Sequence, residues 1–353
     1  MPTEINQPAH SLGFTKTMTS CAKGLALILL FVHHIIPNNP GVNLSIAQLS
    51  IAQLSISQVL ATSAKSCVSI FMILSGYGIC FKLSKTDGSF SNMTAAICNR
   101  LRKFWSSFIP MYLFSLLVSV CVGVSVVSVY GKGFGFLLFL IKDMFGLASE
   151  FFSSPTLCGA WWYLGAAICC YVLAPFFYMV ISKGKLANCI LLFVAYTPWL
   201  VYLIVDDPNM HTDRELFYIF AFVLGMTACK RGLFVKFLEC RNTYKYPLAG
   251  IVLLGLCVAR FKLNLMVDSF IAFCLILLMT QIAREDSPLG SFFKYLGESS
   301  GNVYMFHVSI LGVLGSVPFV NHWVEIIFSL FLCLSVNAML VEIRRNLFQL
   351  MHS

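Results

Sequence analysis

Residues 190–205 read ILLFVAYTPWLVYLIV, a run with no charged side chain and no alternation of apolar with polar positions. A lipid-facing barrel strand alternates apolar and polar residues, so this run is not one. A helix apolar on every face has to be surrounded by protein or by lipid, and about 20 such residues cross a bilayer. The rest of the chain decides between the two. Of 353 residues, 58% are hydrophobic and 11% charged, with a mean hydropathy of +0.83. A soluble domain carries about 25% charged residues. The composition therefore excludes a water-soluble globular protein, a disordered chain, a collagen and a small disulfide scaffold. The fold class it predicts is all-α, a polytopic transmembrane helix bundle.

Similar runs occur at 20–37, 63–83, 105–129, 159–182, 188–206, 215–229, 246–260, 264–283, 302–319 and 322–342, which makes about ten spans. A further run, 133–148, is short and contains Lys142 and Asp143; it is expected to be a re-entrant or interfacial piece. With the N-terminus inside, that choice leaves Lys65, Lys132, Lys142, Arg214, Arg260 and Lys262 outside and the rest of the 24 lysines and arginines inside. Such a bias is what the positive-inside rule requires. If 133–148 spanned, every later loop would invert and the bias would largely vanish. Both termini are thus expected in the cytoplasm, as tails 1–20 and 343–353 around a membrane domain at 21–342. The first tail lacks the basic stretch and cleavage site of a signal peptide.

The net charge of +9 then reports orientation and predicts no nucleic-acid partner. The expected surroundings are a lipid bilayer, and nothing in the chain specifies an oligomeric state. The fourteen cysteines show no metal-ligand spacing, and many stand in apolar runs, so they read as small buried hydrophobes, with no metal expected. Residues 44–58 repeat a pentapeptide, LSIAQ, LSIAQ, LSISQ. This is expected to be a duplicated segment of the first outer loop, without catalytic weight.

Ionisable residues at membrane depth are costly and are functional candidates by default. In the first apolar run, His34 follows Lys23 by eleven residues, about three turns and ~16 Å, so the two share a helix face. The spacing predicts a cation at the inner surface and a titratable imidazole deep in the bundle; His33 is rotated away. Imidazole suits proton transfer because its unperturbed pKa is near neutrality. Residues 71–78, FMILSGYG, place small side chains at Ser75, Gly76 and Gly78, where a helix or ligand can approach closely. Arg100, Arg102 and Lys103 crowd a helix start on the cytoplasmic side. They can anchor the helix at headgroups or grip a phosphorylated ligand. Late in the chain, residues 295–307 read YLGESSGNVYMFH. The serines and Asn302 read as a capped helix start, with Tyr304 and His307 three apart on one face and His307 in the inner half of its span. Trp161, Trp162 and Tyr163 read as an interfacial aromatic belt.

These landmarks, in this order across residues 23–307, resemble the membrane-bound acyltransferase-3 family. The basic residue and histidine of its first helix match Lys23 and His34. Its FFxxSGF element resembles residues 71–77, and its RxxR element resembles Arg100 and Lys103, with lysine in place of the second arginine. Its Trp-aromatic-Leu stretch resembles Trp162, Tyr163 and Leu164; its phenylalanine-rich helix ending in Gly-Met resembles residues 217–226; its Tyr-x-x-His resembles Tyr304 and His307. The resemblance implies a multi-pass enzyme of the inner membrane that moves an acyl group, usually acetyl, from acetyl-CoA to a hydroxyl. The implied acceptors are surface polysaccharide, lipopolysaccharide O-antigen or lipid-linked glycan. It implies Arg100, Lys103 and Lys23 as donor-binding residues, and His34, Ser75, Tyr304 and His307 as catalytic ones. His34 would act as a base or would first accept the acetyl group itself. A glycolipid transporter or flippase would account for the spans and buried polar groups equally well, although no repeat relates the two halves.

Overall fold

Thr15 sets where the first helix begins: its side chain accepts a hydrogen bond from the Met18 backbone N–H, and the helix α1 runs over Lys16–Ile35. The computed structural model describes residues 14–36, 56–148, 154–205, 216–283, 287–315 and 317–350. Along the chain α1 is followed by α2 (Ile56–Ala64), α3 (Cys67–Leu83), α4 (Phe90–Cys121), α5 (Val126–Tyr130) and α6 (Phe134–Met144). A 3-10 turn at Gly159–Trp161 leads into α7 (Trp162–Lys183), then α8 (Lys185–Val205), α9 (Phe217–Lys230) and α10 (Leu233–Glu239). The chain ends with α11 (Lys245–Leu263), α12 (Asp268–Ile282), α13 (Pro288–Leu314) and α14 (His322–Leu350). All regular structure among the described residues is helical. The pentapeptide repeat lies outside them except for its last three residues, which open α2.

Among the described residues, six helical stretches are long and apolar enough to cross a membrane, and a seventh does if α9 and α10, bent by 56°, count as one span. The protein is a multi-pass membrane protein. Of the other expected spans, α8 is apolar over a shorter stretch, α11 carries Lys245, Arg260 and Lys262, and α13 opens on a polar half. The run 133–148 forms α6, eleven residues long, too short at ~1.5 Å per residue to cross a bilayer.

Helix starts differ most from expectation, because polar turns precede the apolar windows. The span expected from 105 begins at Phe90, capped by Ser89, whose side chain accepts from the Asn92 N–H. The helix expected to start near Asn302 begins at Pro288, with Ser287 capping it and proline at its first position. Ser299, Ser300 and Asn302 are therefore mid-helix residues and cap nothing.

Two helix pairs approach most closely, and glycine permits both. Gly24 of α1 lies against the Phe293 carbonyl of α13, and Gly297 of α13 lies against the Ser20 carbonyl of α1. A Cβ on either glycine would fall well inside van der Waals contact with that backbone. Gly76 of α3 faces Phe222 of α9, and Gly225 of α9 faces Ile73 of α3, with the same consequence. Contact between His34 and His307 lies ten residues beyond the Gly24–Gly297 crossing on each helix. Residue numbers rise together, so α1 and α13 run parallel, and the glycine crossing sets the register that pairs the two imidazoles.

Candidate active site

Two cavities lie along this parallel pair. One, about 270 Å³, is lined by Lys23, Ser75, Arg100, Tyr163, Tyr171 and Glu298 among others. The second, about 190 Å³, is lined by His33, His34, Lys65, Trp162, Tyr218 and the 159–160 turn. Tyr304 is common to both linings. Lys23 and His34 thus look into different chambers along one helix, separated by eleven residues, or ~16 Å.

The Lys23 chamber is cationic with one carboxylate. Lys23 is half-buried and Arg100 is exposed, its guanidinium 5.8 Å from the centre of the Tyr171 ring. That contact orients the guanidinium without consuming its donors. Glu298 is the acidic lining residue. Ser75 shares this lining with Tyr163, whose ring lies 5.2 Å from that of Tyr304. Lys103 lines neither cavity; it is exposed on α4, within electrostatic reach of Lys82. The structure brings Lys23, Arg100 and Ser75 together and leaves Lys103 outside.

At the other end, His34 is the penultimate residue of α1 and is exposed to its cavity. The helix starts at Lys16, four residues before the expected 20 and about two turns before Lys23. His307 is the twentieth residue of α13. It is fully buried, its ring 5.0 Å from that of His34 and 6.1 Å from Phe31. Its Nδ1 lies 2.8 Å from the Tyr304 carbonyl oxygen. A carbonyl only accepts, so Nδ1 carries the proton and Nε2 is left as an acceptor. That Nε2 is buried without a hydrogen-bond partner among the described residues.

Tyr304 closes the partition. Its ring sits among Phe71, Tyr163 and His307, and its hydroxyl donates to the Ala160 carbonyl. Next to that contact, Trp161 Nε1 donates to the Met305 carbonyl at 2.7 Å. The three residues expected to form an interfacial belt are instead internal. Trp161 is fully buried against Phe108 and Tyr112, Trp162 faces the His34 cavity and Tyr163 the Lys23 cavity. Their shared position at the mouth of a span mimics a belt in the sequence; contact with α13 and α4 draws them in.

The 159–161 turn is itself held by a buried carboxylate. Asp143 of α6 accepts from the Tyr130 hydroxyl, from Thr156 Oγ1 at 3.0 Å and from the Leu157 N–H at 2.7 Å. Tyr130 in turn meets the Tyr112 hydroxyl at 3.2 Å. Burial pushes the Asp143 carboxyl up to about 6 from its ordinary 3.8. Its folded pKa stands above its unfolded one, so this group favours folding most when protonated. The contribution is full below the unfolded value and is lost as pH rises through about 6. At ~1.4 kcal/mol per unit, the shift is on the order of 3 kcal/mol. Thermal unfolding of wild type and Asp143→Asn at several pH values should show the wild type losing stability over this window relative to the variant. Parallel pH profiles would contradict the assignment.

Sequence reasoning did not single out Lys65, Tyr171, Tyr218 or Glu298. Lys65 carried a visible signal, a cation inside the 59–83 run, which otherwise holds only Lys82 at its far end. The others reach the cavities only through tertiary packing. The family model described as an acyltransferase domain matches residues 20–342. No curated protein and no solved structure matches the chain.

Proposed function

The chain belongs to the acyltransferase-3 family and is an acyltransferase, and from that premise we propose that it moves acetyl from acetyl-CoA to a glycan hydroxyl. The observation that carries this reading is the pair of chambers meeting at Tyr304, cations in one and an exposed imidazole in the other. In this proposal ten spans place both termini and the Lys23 end in the cytoplasm, with the protein in the inner membrane. The acceptor is a surface polysaccharide, lipopolysaccharide O-antigen or lipid-linked glycan. Family membership does not favour a transporter or flippase.

Arg100 and Lys23 hold the phosphates of the coenzyme, arginine by bidentate hydrogen bonds and lysine as a point charge. The thioester arm passes Tyr304, whose displacement breaks its bond to Ala160. Ser75 and Gly76 leave room beside the arm. At the far end the acceptor oxygen bonds to the thioester carbon while its proton passes to His34. The carbon–sulfur bond then breaks, and the departing thiolate takes that proton, leaving coenzyme A and the O-acetyl ester. His307, fixed as the Nδ1–H tautomer by the Tyr304 carbonyl, offers Nε2 as an acceptor that can orient His34.

Purified protein incubated with acetyl-labelled coenzyme A should consume donor in the presence of cell glycans. Charge-assisted hydrogen bonds contribute about 1.5–3 kcal/mol, so Arg100→Ala should raise KM for acetyl-CoA by roughly ten- to a hundredfold. Its kcat should change little. A donor dependence equal to wild type would remove Arg100 from the site, and a protein that never consumes donor would overturn the reading.

A further inference from the structure

The turn that latches Tyr304 is tied back to Asp143 through one threonine, and that threonine has more acceptors than protons. The Tyr304 hydroxyl donates to the Ala160 carbonyl. Ala160 lies inside a turn closed by the Trp161 N–H on the Cys158 carbonyl, at 2.9 Å. Thr156 Oγ1 sits 3.0 Å from that same carbonyl oxygen, 3.0 Å from Asp143 Oδ1 and 3.3 Å from the Cys158 nitrogen. A hydroxyl has one proton to donate, so it cannot serve both acceptors. Asp143 Oδ2 already takes the Tyr130 hydroxyl and the Leu157 N–H. A proton on the carboxyl therefore belongs on Oδ1, facing Thr156. With Asp143 ionised, Thr156 donates to it. With Asp143 protonated, Oδ1 donates to Thr156, and the threonine proton turns to the Cys158 carbonyl as a second tie on the turn.

We propose that Asp143 is a positioning residue for Tyr304: its proton adds the Thr156 tie that stiffens the 158–161 turn and holds the latch shut, and its ionisation slackens the turn and lets Tyr304 swing clear. This rests on the acyl-transfer reading, in which the thioester arm passes a displaced Tyr304. Burial brings the ionisation of Asp143 up to about 6, within ordinary conditions. The titratable groups around it are Tyr130 of α5, Tyr112 of α4 and Cys158 of the turn. Phenols and thiols ordinarily keep their protons to about pH 8 or higher, so Asp143 is the group of this cluster that titrates first. Lys142, its neighbour on α6, lies over the Phe139 ring, 5.9 Å from its centre. Among the described residues no ion pair reaches Asp143.

Hydrogen–deuterium exchange over residues 157–161 tests this on the full-length protein in detergent, at about pH 5 and about pH 8, on either side of the transition and corrected for intrinsic rates. Wild-type protection should fall roughly fivefold from the lower pH to the higher, the worth of one neutral hydrogen bond. Asp143→Asn, whose amide donates to Thr156 as the protonated acid does, should keep the higher protection at both. Thr156→Val should show the lower protection at both, and Thr156→Ser should retain the wild-type change. Turnover should follow: kcat of Asp143→Asn should lie roughly fivefold below wild type at the higher pH and equal it at the lower, with KM for acetyl-CoA unchanged. Comparison of the two proteins at one pH cancels the titration of His34. Wild-type protection that does not change with pH, a change that survives in Asp143→Asn or Thr156→Val, or a kcat that ignores the exchange pattern would overturn the proposal. A wild-type protein that shows the exchange pattern and never consumes donor would strike the acyl-transfer reading and leave the switch in the turn standing, so the two failures are separable.

Discussion

Replacing His34 with alanine is expected to lower turnover with acetyl-CoA by ~10²–10⁴-fold, the usual contribution of a general base. His34 is the imidazole exposed to the second cavity. It lies on the opposite side of Tyr304 from Lys23 and Arg100, so the substitution leaves the cationic chamber intact. Coenzyme A affinity should therefore be unchanged while kcat falls. His307→Ala should be milder if His307 orients His34, since an orienting group acts through the base. Near-normal acetylation by a well-folded His34→Ala protein would eliminate the proposed role. The same assay bears on the order of steps. Transient label on wild-type protein, absent from His34→Ala, would favour acetyl transfer by way of the histidine.

The second large effect concerns folding. Gly24→Ala and Gly297→Ala each force a methyl into a backbone carbonyl of the partner helix. A carbonyl in a helix cannot rotate away as a side chain can, so the helices must separate. Overpacking costs about 1–3 kcal/mol, and a backbone obstruction belongs at the upper end. Separation also breaks the register that pairs His34 with His307, so activity should fall even in protein that remains folded. Gly76→Ala and Gly225→Ala should act similarly on α3 and α9. Gly250→Ala and Gly255→Ala provide the contrast, because nothing lies within 4 Å of a Cβ there. Alanine is the better helix former by roughly 0.5–1 kcal/mol, so these should be neutral or slightly stabilising. Thermal unfolding followed by size-exclusion profile separates the groups; equal melting temperatures for Gly24→Ala and Gly255→Ala would contradict the close-packing account.

Hydropathy made the helical, membrane-spanning class legible, since a run such as 190–205 has few other physical solutions. Helix starts were not legible, because an apolar window does not register the polar turns before it. The missing first turn of α1 left Lys23 further from the helix start than expected, while the face it shares with His34 stayed intact. The missing half of α13 did the same to His307, the twentieth residue of that helix. Small residues at Ser75 and Gly76 were visible as a place of close approach, but the partner of Gly76, the Phe222 backbone, lies in another helix and cannot be inferred from spacing alone. The Trp161–Tyr163 stretch shows the same limit. Its sequence position fits an interfacial belt, and only contacts with α4 and α13 show that three adjacent aromatics serve a buried wedge and two separate cavities. Tyr304 was legible as a candidate through its pairing with His307. Its place between two chambers is a property of the assembled bundle.

An experimental density map of the protein with a non-hydrolysable acetyl-CoA analogue tests the account most directly. The predicted map places the phosphates against Lys23 and Arg100, the arm beside a displaced Tyr304, and the acyl carbon next to His34. A map with the nucleotide at the His34 end, or with the His34 ring against lipid and no passage to the Lys23 chamber, would contradict it.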